Sequence, residues 1–308
     1  MVGSCSAGRC TVVPVASAVN KPTHIMVGGG WLYWIAQGEP NGKAYNMPLA
    51  TSQVSAVVIQ GPESRVACDS GFWSLWANDS FVYFASYNVC QKAHGTSANS
   101  GSVSGNMYGA AVSSSLGTLT GSGGNVFNIN TYDGFLQSSD GSRYRISSAS
   151  PVLTIAADGQ NLYWLEGKQG AAFVYKHTAP ALDNTAVVEL AKNQSYSEGI
   201  VAYNGFVYWT AAPSAVAGAG SIMRVSTSGG TVTTVASGQT SPSGLAVDAS
   251  GVYWTNRFAN GSVMRVAHAG GTPVELAGAQ NGAHGIALDA TTVYWTNTEG
   301  GEVRMISK

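Results

Sequence analysis

The chain has 308 residues, with 15 Lys and Arg against 16 Asp and Glu, and only 10% of its residues are charged. A formal charge of −1 gives no general electrostatic grip on nucleic acid or on an acidic membrane surface. No run of about 18 apolar residues exists to insert into a bilayer, while 39 glycines and 44% hydrophobic residues describe a turn-rich folded chain with ample core material.

At the start, Met1-Val2-Gly3-Ser4 has no apolar stretch behind it that could serve as a signal peptide, so the sequence reads as a mature or trimmed form. Cys5 and Cys10 enclose a four-residue loop, and Cys68 and Cys90 flank a stretch that reads as two strands joined by a turn. Each pair can close with modest loop entropy, which predicts disulfides Cys5–Cys10 and Cys68–Cys90, with free buried thiols as the alternative. An even cysteine count at low charge fits an oxidising, secreted or periplasmic location. Neither pair has Cys-x2-Cys spacing or a histidine close beside it, which argues against a metal site there. The expected organisation is a disulfide loop over residues 1–10 and one domain over 11–308.

From residue 24 onward the same unit returns. His24-Ile25-Met26-Val27 precedes Leu32-Tyr33-Trp34, Ser74-Leu75-Trp76-Ala77 precedes Val82-Tyr83-Phe84, and Thr118-Leu119-Thr120 precedes Val126-Phe127. Thr154-Ile155-Ala156-Ala157-Asp158 is followed by Leu162-Tyr163-Trp164, and Gly199-Ile200-Val201-Ala202 by Val207-Tyr208-Trp209-Thr210. Gly244 to Asp248 with Val252-Tyr253-Trp254-Thr255-Asn256, and Gly285 to Asp289 with Val293-Tyr294-Trp295-Thr296-Asn297, are the clearest copies. The period of ~40 to 50 residues is that of propeller blades. Each unit resolves into four short strand-forming runs between turn residues, so the chain is expected to be all-β, a seven-bladed β-propeller of four-stranded antiparallel blades. If the third unit, whose outer strands over Phe135 to Ile146 fit loosely, is not a blade, the count is six.

The last unit ends with Glu302-Val303-Arg304-Met305-Ile306-Ser307, a third strand with no fourth after it. Thr11-Val12-Val13-Pro14-Val15-Ala16 resembles Thr231-Val232-Thr233-Thr234-Val235-Ala236 and precedes the first inner strand, so it is expected to complete the last blade. Such closure leaves no open sheet edge, and Pro14 is tolerable in an outermost strand.

The Val-Tyr-Trp-Thr-Asn strand after a Gly-Ile-Ala-x-Asp strand resembles the repeats of YWTD and NHL-type propellers and of the streptogramin (virginiamycin B) lyase propellers. YWTD receptor propellers have Asp where this chain has Asn256, Asn297 and Ala211, and they are six-bladed, so receptor-type binding is not implied. Resemblance to the streptogramin lyases implies seven blades and a metal-assisted elimination by His and Glu near the central axis. The fold by itself does not choose a function.

Residues that recur from unit to unit are expected to be core, the Tyr-Trp pairs above all. Asp158, Asp248 and Asp289 end inner strands before tight turns and are expected to bond their own backbone. Strand parity puts the start of each inner strand and the loops between second and third strands on one face, and the variable loops make that the functional face. There the units diverge, with Thr23 or His24, Trp73, Leu116, Leu153, Glu198, Ser243 and His284 at corresponding places.

Two functions from different classes follow. One is a binding module taking a small-molecule or glycan ligand at a single central site, with Trp73 as stacking platform and Ser243, Glu198, His24, Arg257 and Glu299 as polar anchors. The other is a lyase or hydrolase with His284 as base and Glu198 as acid or metal ligand, which would admit a divalent metal although no cofactor is required by the sequence. A broad uncharged loop face would equally serve a protein partner.

Overall fold

A computed structural model of the chain describes residues 5–6, 9–38, 43–50, 74–85, 89–93, 118–122, 125–129, 135–138, 143–146, 151–159, 161–167, 171–178, 187–195, 198–213 and 216–308. Every regular element among them is a strand. β1 (Cys5–Ser6) and β2 (Arg9–Cys10) form a two-stranded ribbon, followed by β3 (Val13–Ala16). The first blade holds β4 (Pro22–Gly28), β5 (Trp31–Ala36) and β6 (Lys43–Pro48), and the second β7 (Ser74–Ala77), β8 (Phe81–Ala85) and β9 (Val89–Ala93). The third is β10 (Thr118–Ser122), β11 (Asn125–Ile129), β12 (Phe135–Ser138) and β13 (Arg143–Arg145), so this unit is a blade and the six-bladed alternative falls. The fourth is β14 (Val152–Asp158), β15 (Asn161–Glu166), β16 (Ala172–Thr178) and β17 (Val188–Gln194). The fifth is β18 (Ile200–Tyr203), β19 (Phe206–Ala211), β20 (Gly220–Ser226) and β21 (Thr233–Gln239). The sixth is β22 (Pro242–Asp248), β23 (Gly251–Asn256), β24 (Gly261–Val266) and β25 (Val274–Gln280), and the seventh contributes β26 (Ala283–Leu288), β27 (Thr292–Asn297) and β28 (Glu302–Ser307).

Each blade is an antiparallel meander in chain order, and β3 pairs with β28 as the outer strand of the seventh, with Val303 opposite Ala16 and Met305 opposite Val13. The fold is a seven-bladed β-propeller closed by its N-terminal strand. By internal contacts the chain divides into two compact units. One comprises Met1–Ser104, Thr255–Met264 and Glu275–Lys308, and in it the inner strands β26, β4 and β7 lie side by side. The other comprises Gly105–Trp254 and Arg265–Val274, with β10, β14, β18 and β22 side by side.

Why every second strand needs adjacent aromatics follows from strand geometry. Successive side chains point to opposite faces of a sheet, and a blade packed between two others must bury both. In β15, Leu162 and Trp164 join Phe127 and Leu136 of the third blade, while Tyr163 and Leu165 join Ile200, Val207 and Trp209 of the fifth. In β5, Trp34 packs with Tyr294 and Met305 of the seventh blade, and Tyr33 with Leu75 and Phe84 of the second. Trp34, Trp164, Trp209, Trp254 and Trp295 are all fully buried, as core residues should be.

Candidate functional site

The rest of the repeated motif is polar and equally structural. Asp289 Oδ1 accepts the backbone N–H groups of Thr291 and Thr292 at 2.7 and 2.8 Å, and its Oδ2 accepts the Tyr294 hydroxyl at 2.7 Å. Asp158 takes the Tyr163 hydroxyl at 2.8 Å in the same way. Burial first, and then the neighbouring carboxylate, push the Tyr163 and Tyr294 phenols far above their usual range. The tryptophan ring N–H reaches back to a glutamine at the end of the preceding blade: Trp254 Nε1 donates to Gln239 Oε1 and Trp295 Nε1 to Gln280 Oε1, both at 3.0 Å. The motif threonine reaches forward. Thr296 Oγ1 donates to the Thr23 carbonyl at 2.7 Å and Thr255 Oγ1 to the His284 carbonyl at 2.5 Å.

The sequence signal for the glutamine clasp is a constant spacing of 15 residues to the tryptophan, present in the sequence but not read there because the partners sit on different blades. Arg224 and Arg265 also stay in the scaffold. Their guanidinium groups donate to the carbonyls of His268 and Ser250 at 2.6 and 2.7 Å. His268 is itself stacked on Tyr203, with ring centres 5.6 Å apart, and His177 lies buried within β16.

Hydrogen bonds between loops bear out the face assignment within each unit. Thr298 N donates to Gly282 O, Gly300 N to Asn281 O and Gly38 N to Asn20 O, each joining a loop between second and third strands to the start of an inner strand. In the other unit Gly167 N bonds Pro151 O, and Gly218 N bonds Thr240 Oγ1. The opposite face pairs the short turns with each other, as Leu49 N to Gly30 O and Thr227 N to Gly205 O.

At the face that carries the longer loops, the inner strands open on β-bulges. Register shifts fall between Pro22 and Ile25, between Val152 and Thr154, and between Ala283 and Ile286. A bulge re-aims a side chain out of the sheet alternation, and these bulges hold Thr23, His24, Leu153 and His284. The forward-reaching threonines bond the Thr23 and His284 carbonyls, so the backbone under these side chains is fixed. Gly285 and Gly199 show how tightly the next blade approaches, since a Cβ there would collide with the carbonyl oxygens of Thr23 and Ser243. His24 occupies the place of that glycine in the first blade, as Pro22-Thr23-His24-Ile25 aligns with Pro242-Ser243-Gly244-Leu245.

Three pairs of site residues come together. The half-buried rings of His24 and His284 stand edge to face with centres 6.3 Å apart, and His24 Nδ1 lies 3.4 Å from Thr23 Oγ1. Buried Ser243 donates its hydroxyl to the exposed Glu198 carboxylate. Arg257 Nη2 lies 3.8 Å from Glu299 Oε1, and this carboxylate fills the space over Gly282, whose φ of 73° also requires glycine. Trp73, Leu116 and Cys68 lie outside the described residues. Cys10 is disulfide-bonded, and the backbone register sets it opposite Cys5; Cys90 lies in β9.

A hard divalent ion such as Mg²⁺ takes oxygen ligands. Among the described residues no group of three or more His, Cys, Asp and Glu stands together, so these donors do not fit such an ion. The paired imidazoles are nitrogen donors of a different class.

No family model matches the chain, and no curated protein matches it. Among solved structures it is similar to a catalytically inactive variant of virginiamycin B lyase from Staphylococcus aureus with quinupristin, at 13% identity and a TM-score of 0.67, over 97% of this chain and 98% of the lyase. It is also similar to the computationally designed Ika8 protein, at 15% identity and a TM-score of 0.60, over 92% of this chain and 83% of that one. A nidogen/laminin complex supplies a third likeness, at 14% identity and a TM-score of 0.54, over 84% of this chain and 98% of the matched one. The fold is that of the β-propellers. These likenesses establish the scaffold and leave the ligand to the site.

Proposed function

We propose that this protein is an exported β-propeller that binds one small-molecule or glycan ligand on its loop face, through side chains that open the inner strands. The observation carrying this reading is a contrast within one repeated position. Corresponding inner-strand openings hold Thr23, Glu198, Ser243 and His284, while the tyrosines, tryptophans and threonines two strands deep are repeated and consumed by packing. A rigid backbone presenting unlike polar side chains suits one specific site better than seven equivalent ones. Export is supported by the disulfide at Cys10, and the pairs Cys5–Cys10 and Cys68–Cys90 belong to this reading.

Thermal unfolding of wild type and His284→Ala against a panel of sugars and small polar metabolites tests it, because a ligand that binds only the native state raises the midpoint. A ligand that shifts wild type and not the variant is the expected result. Equal shifts in both would remove His284 from the site.

A second reading, a lyase or hydrolase with His284 as base and Glu198 as acid, is favoured by the likeness to a lyase of which one His-to-Ala variant is catalytically inactive. Turnover retained in His284→Ala would remove it. A panel with no shift at all would move the reading to a protein partner, the situation of the propeller in the nidogen/laminin complex.

A further inference from the structure

Among the described residues the exposed large apolar side chains are Val187, Val188, Val216, Val274 and Phe258. Phe258 is the aromatic one, 38% exposed, and it sits in the connection between β23 and β24 on the loop face. We propose that Phe258 is the stacking platform of a saccharide site, with Arg257, Glu299 and the exposed Asn260 and Asn281 as its hydrogen-bonding rim, and that its ligand is a neutral pyranose. The inference rests on the ligand-site reading above and chooses the glycan within it.

Gly282 is where these residues meet. Its N–H donates to Phe258 O at 3.0 Å, and Phe258 O also accepts Gly261 N at 3.0 Å, so the backbone of the aromatic residue is held from its own turn and from the connection into the next blade. The Gly282 carbonyl accepts Thr298 N at 2.9 Å and Asn281 O accepts Gly300 N at 3.0 Å, which ties in the loop that carries Glu299. The Glu299 carboxylate lies over Gly282, and Arg257 Nη2 stands 3.8 Å from it. Residues 257–261, 280–282 and 298–301 thus form one hydrogen-bonded floor within a single compact unit. At Gly261 the packing leaves no room for a Cβ, which would meet the carbonyl oxygens of Asn256 and Gln280. Such a floor is preorganised, and a fixed platform lowers the ordering cost of binding. Gly282 comes two residues before His284, so the platform adjoins the opening of β26.

The donor set decides the ligand class. A pyranose has an apolar face of C–H groups and an edge of hydroxyls that both donate and accept. The face suits a large rigid ring such as that of Phe258, and the edge needs donors and acceptors side by side. Arginine supplies donors alone, a carboxylate acceptors alone, and an asparagine amide both. The charges of Arg257 and Glu299 cancel locally, so an anion is repelled by one and a cation by the other, while a neutral polyol finds a partner in each. Their separation of 3.8 Å exceeds a direct hydrogen bond, and both heads face solvent, at 35% and 51% exposure, as a spaced pair that neighbouring hydroxyls can bridge.

The test is binding of the full chain to an array of neutral and acidic glycans, with the strongest neutral glycan then titrated by calorimetry. Wild type should bind at least one neutral glycan, and Phe258→Ala should weaken it by about tenfold or more. Arg257→Ala should weaken it as well, and Phe258→Tyr, which keeps the ring, should bind as wild type does. Circular dichroism melts of the free variants should match wild type, and Phe258→Gln repeats the titration should Phe258→Ala fail to fold. No neutral glycan bound by wild type, binding confined to acidic glycans, or equal binding by wild type and Phe258→Ala overturns the proposal. The thermal panel keeps the two readings apart. A metabolite that shifts wild type and Phe258→Ala but not His284→Ala, with no glycan bound, sinks the platform and spares the strand-opening site. A glycan lost in Phe258→Ala and kept in His284→Ala does the reverse.

Discussion

Two seams in the same compact unit use one backbone device and different side chains. Between the sixth and seventh blades, the end of β25 carries Ala279 at φ 54° and then Gln280, whose carboxamide accepts from both Trp295 and Asn297 at 3.0 Å and donates to Gly278 O at 2.6 Å. Between the seventh and first blades, β3 is followed by Ala18 at φ 56° and then Val19, buried in one apolar cluster with Trp34, whose ring N–H has no hydrogen-bond partner. The backbone path is kept and the polar clasp is absent where the N-terminal strand closes the fold. Closure thus rests on the β3–β28 ladder, apolar packing and hydrogen bonds from Thr296 to Thr23 O, from Thr298 to Pro22 O and from Val19 N to Gly301 O, and the indole N–H is left as a local deficit. Presence of the glutamine alone does not guarantee the clasp. Gln194 stands 15 residues before Trp209 and its amide donates to Lys192 O just as that of Gln280 does to Gly278 O, yet the Trp209 ring N–H is without a partner.

The largest expected effects come from the tryptophans. Trp295→Ala and Trp34→Ala should each lose about 3–5 kcal/mol in urea unfolding. Trp295 should be the costlier because its removal also takes one of the two donors from the Gln280 carboxamide oxygen, and a larger loss at Trp34 would contradict this. Gln280→Ala should cost about 1–3 kcal/mol by leaving two buried N–H groups unpaired. The reverse change sharpens the contrast: Val19→Gln should raise stability by about 1 kcal/mol if its amide finds Trp34 as Gln280 finds Trp295.

Tyr294→Phe, at the same seventh blade, should lose about 1 kcal/mol near neutrality. Its pH dependence has a definite sign. A phenol whose folded pKa lies above the unfolded value of about 10 adds stability below that pH and loses it as pH rises beyond. The wild-type advantage over Tyr294→Phe should therefore shrink above about pH 10, as followed by alkaline denaturation. Glu299→Gln should change stability by less than about 1 kcal/mol, since the Arg257–Glu299 pair is solvent-exposed.

Much of this architecture was legible because the repeat writes it seven times. Tyr-Trp pairs announce a strand buried on both faces, and Thr231 to Ala236 gave the pattern by which β3 could be recognised as an outer strand. The third blade read weakly because its outer strands are short, Phe135–Ser138 and Arg143–Arg145. At the site, parity located the face and the diverging positions, but alternation cannot see a bulge. The Pro22-Thr23-His24-Ile25 match to Pro242-Ser243-Gly244-Leu245 separates Thr23 from His24, but the nearness of His24 to His284 depends on the bulges and is not written in the alternation. The Ser243–Glu198 pair was within reach of the repeat, since both occupy the same place in successive blades.

In the proposed function, repeated residues build the scaffold while the divergent strand openings bind. His284→Ser tests it most directly, because it gives the seventh blade the residue that the sixth carries at Ser243. Thermal unfolding of this variant and wild type, each with and without a ligand identified from the panel, should show an unchanged midpoint in the free protein and loss of the ligand-induced shift. A midpoint lowered as far as in Trp295→Ala, or a ligand shift equal to that of wild type, would contradict it.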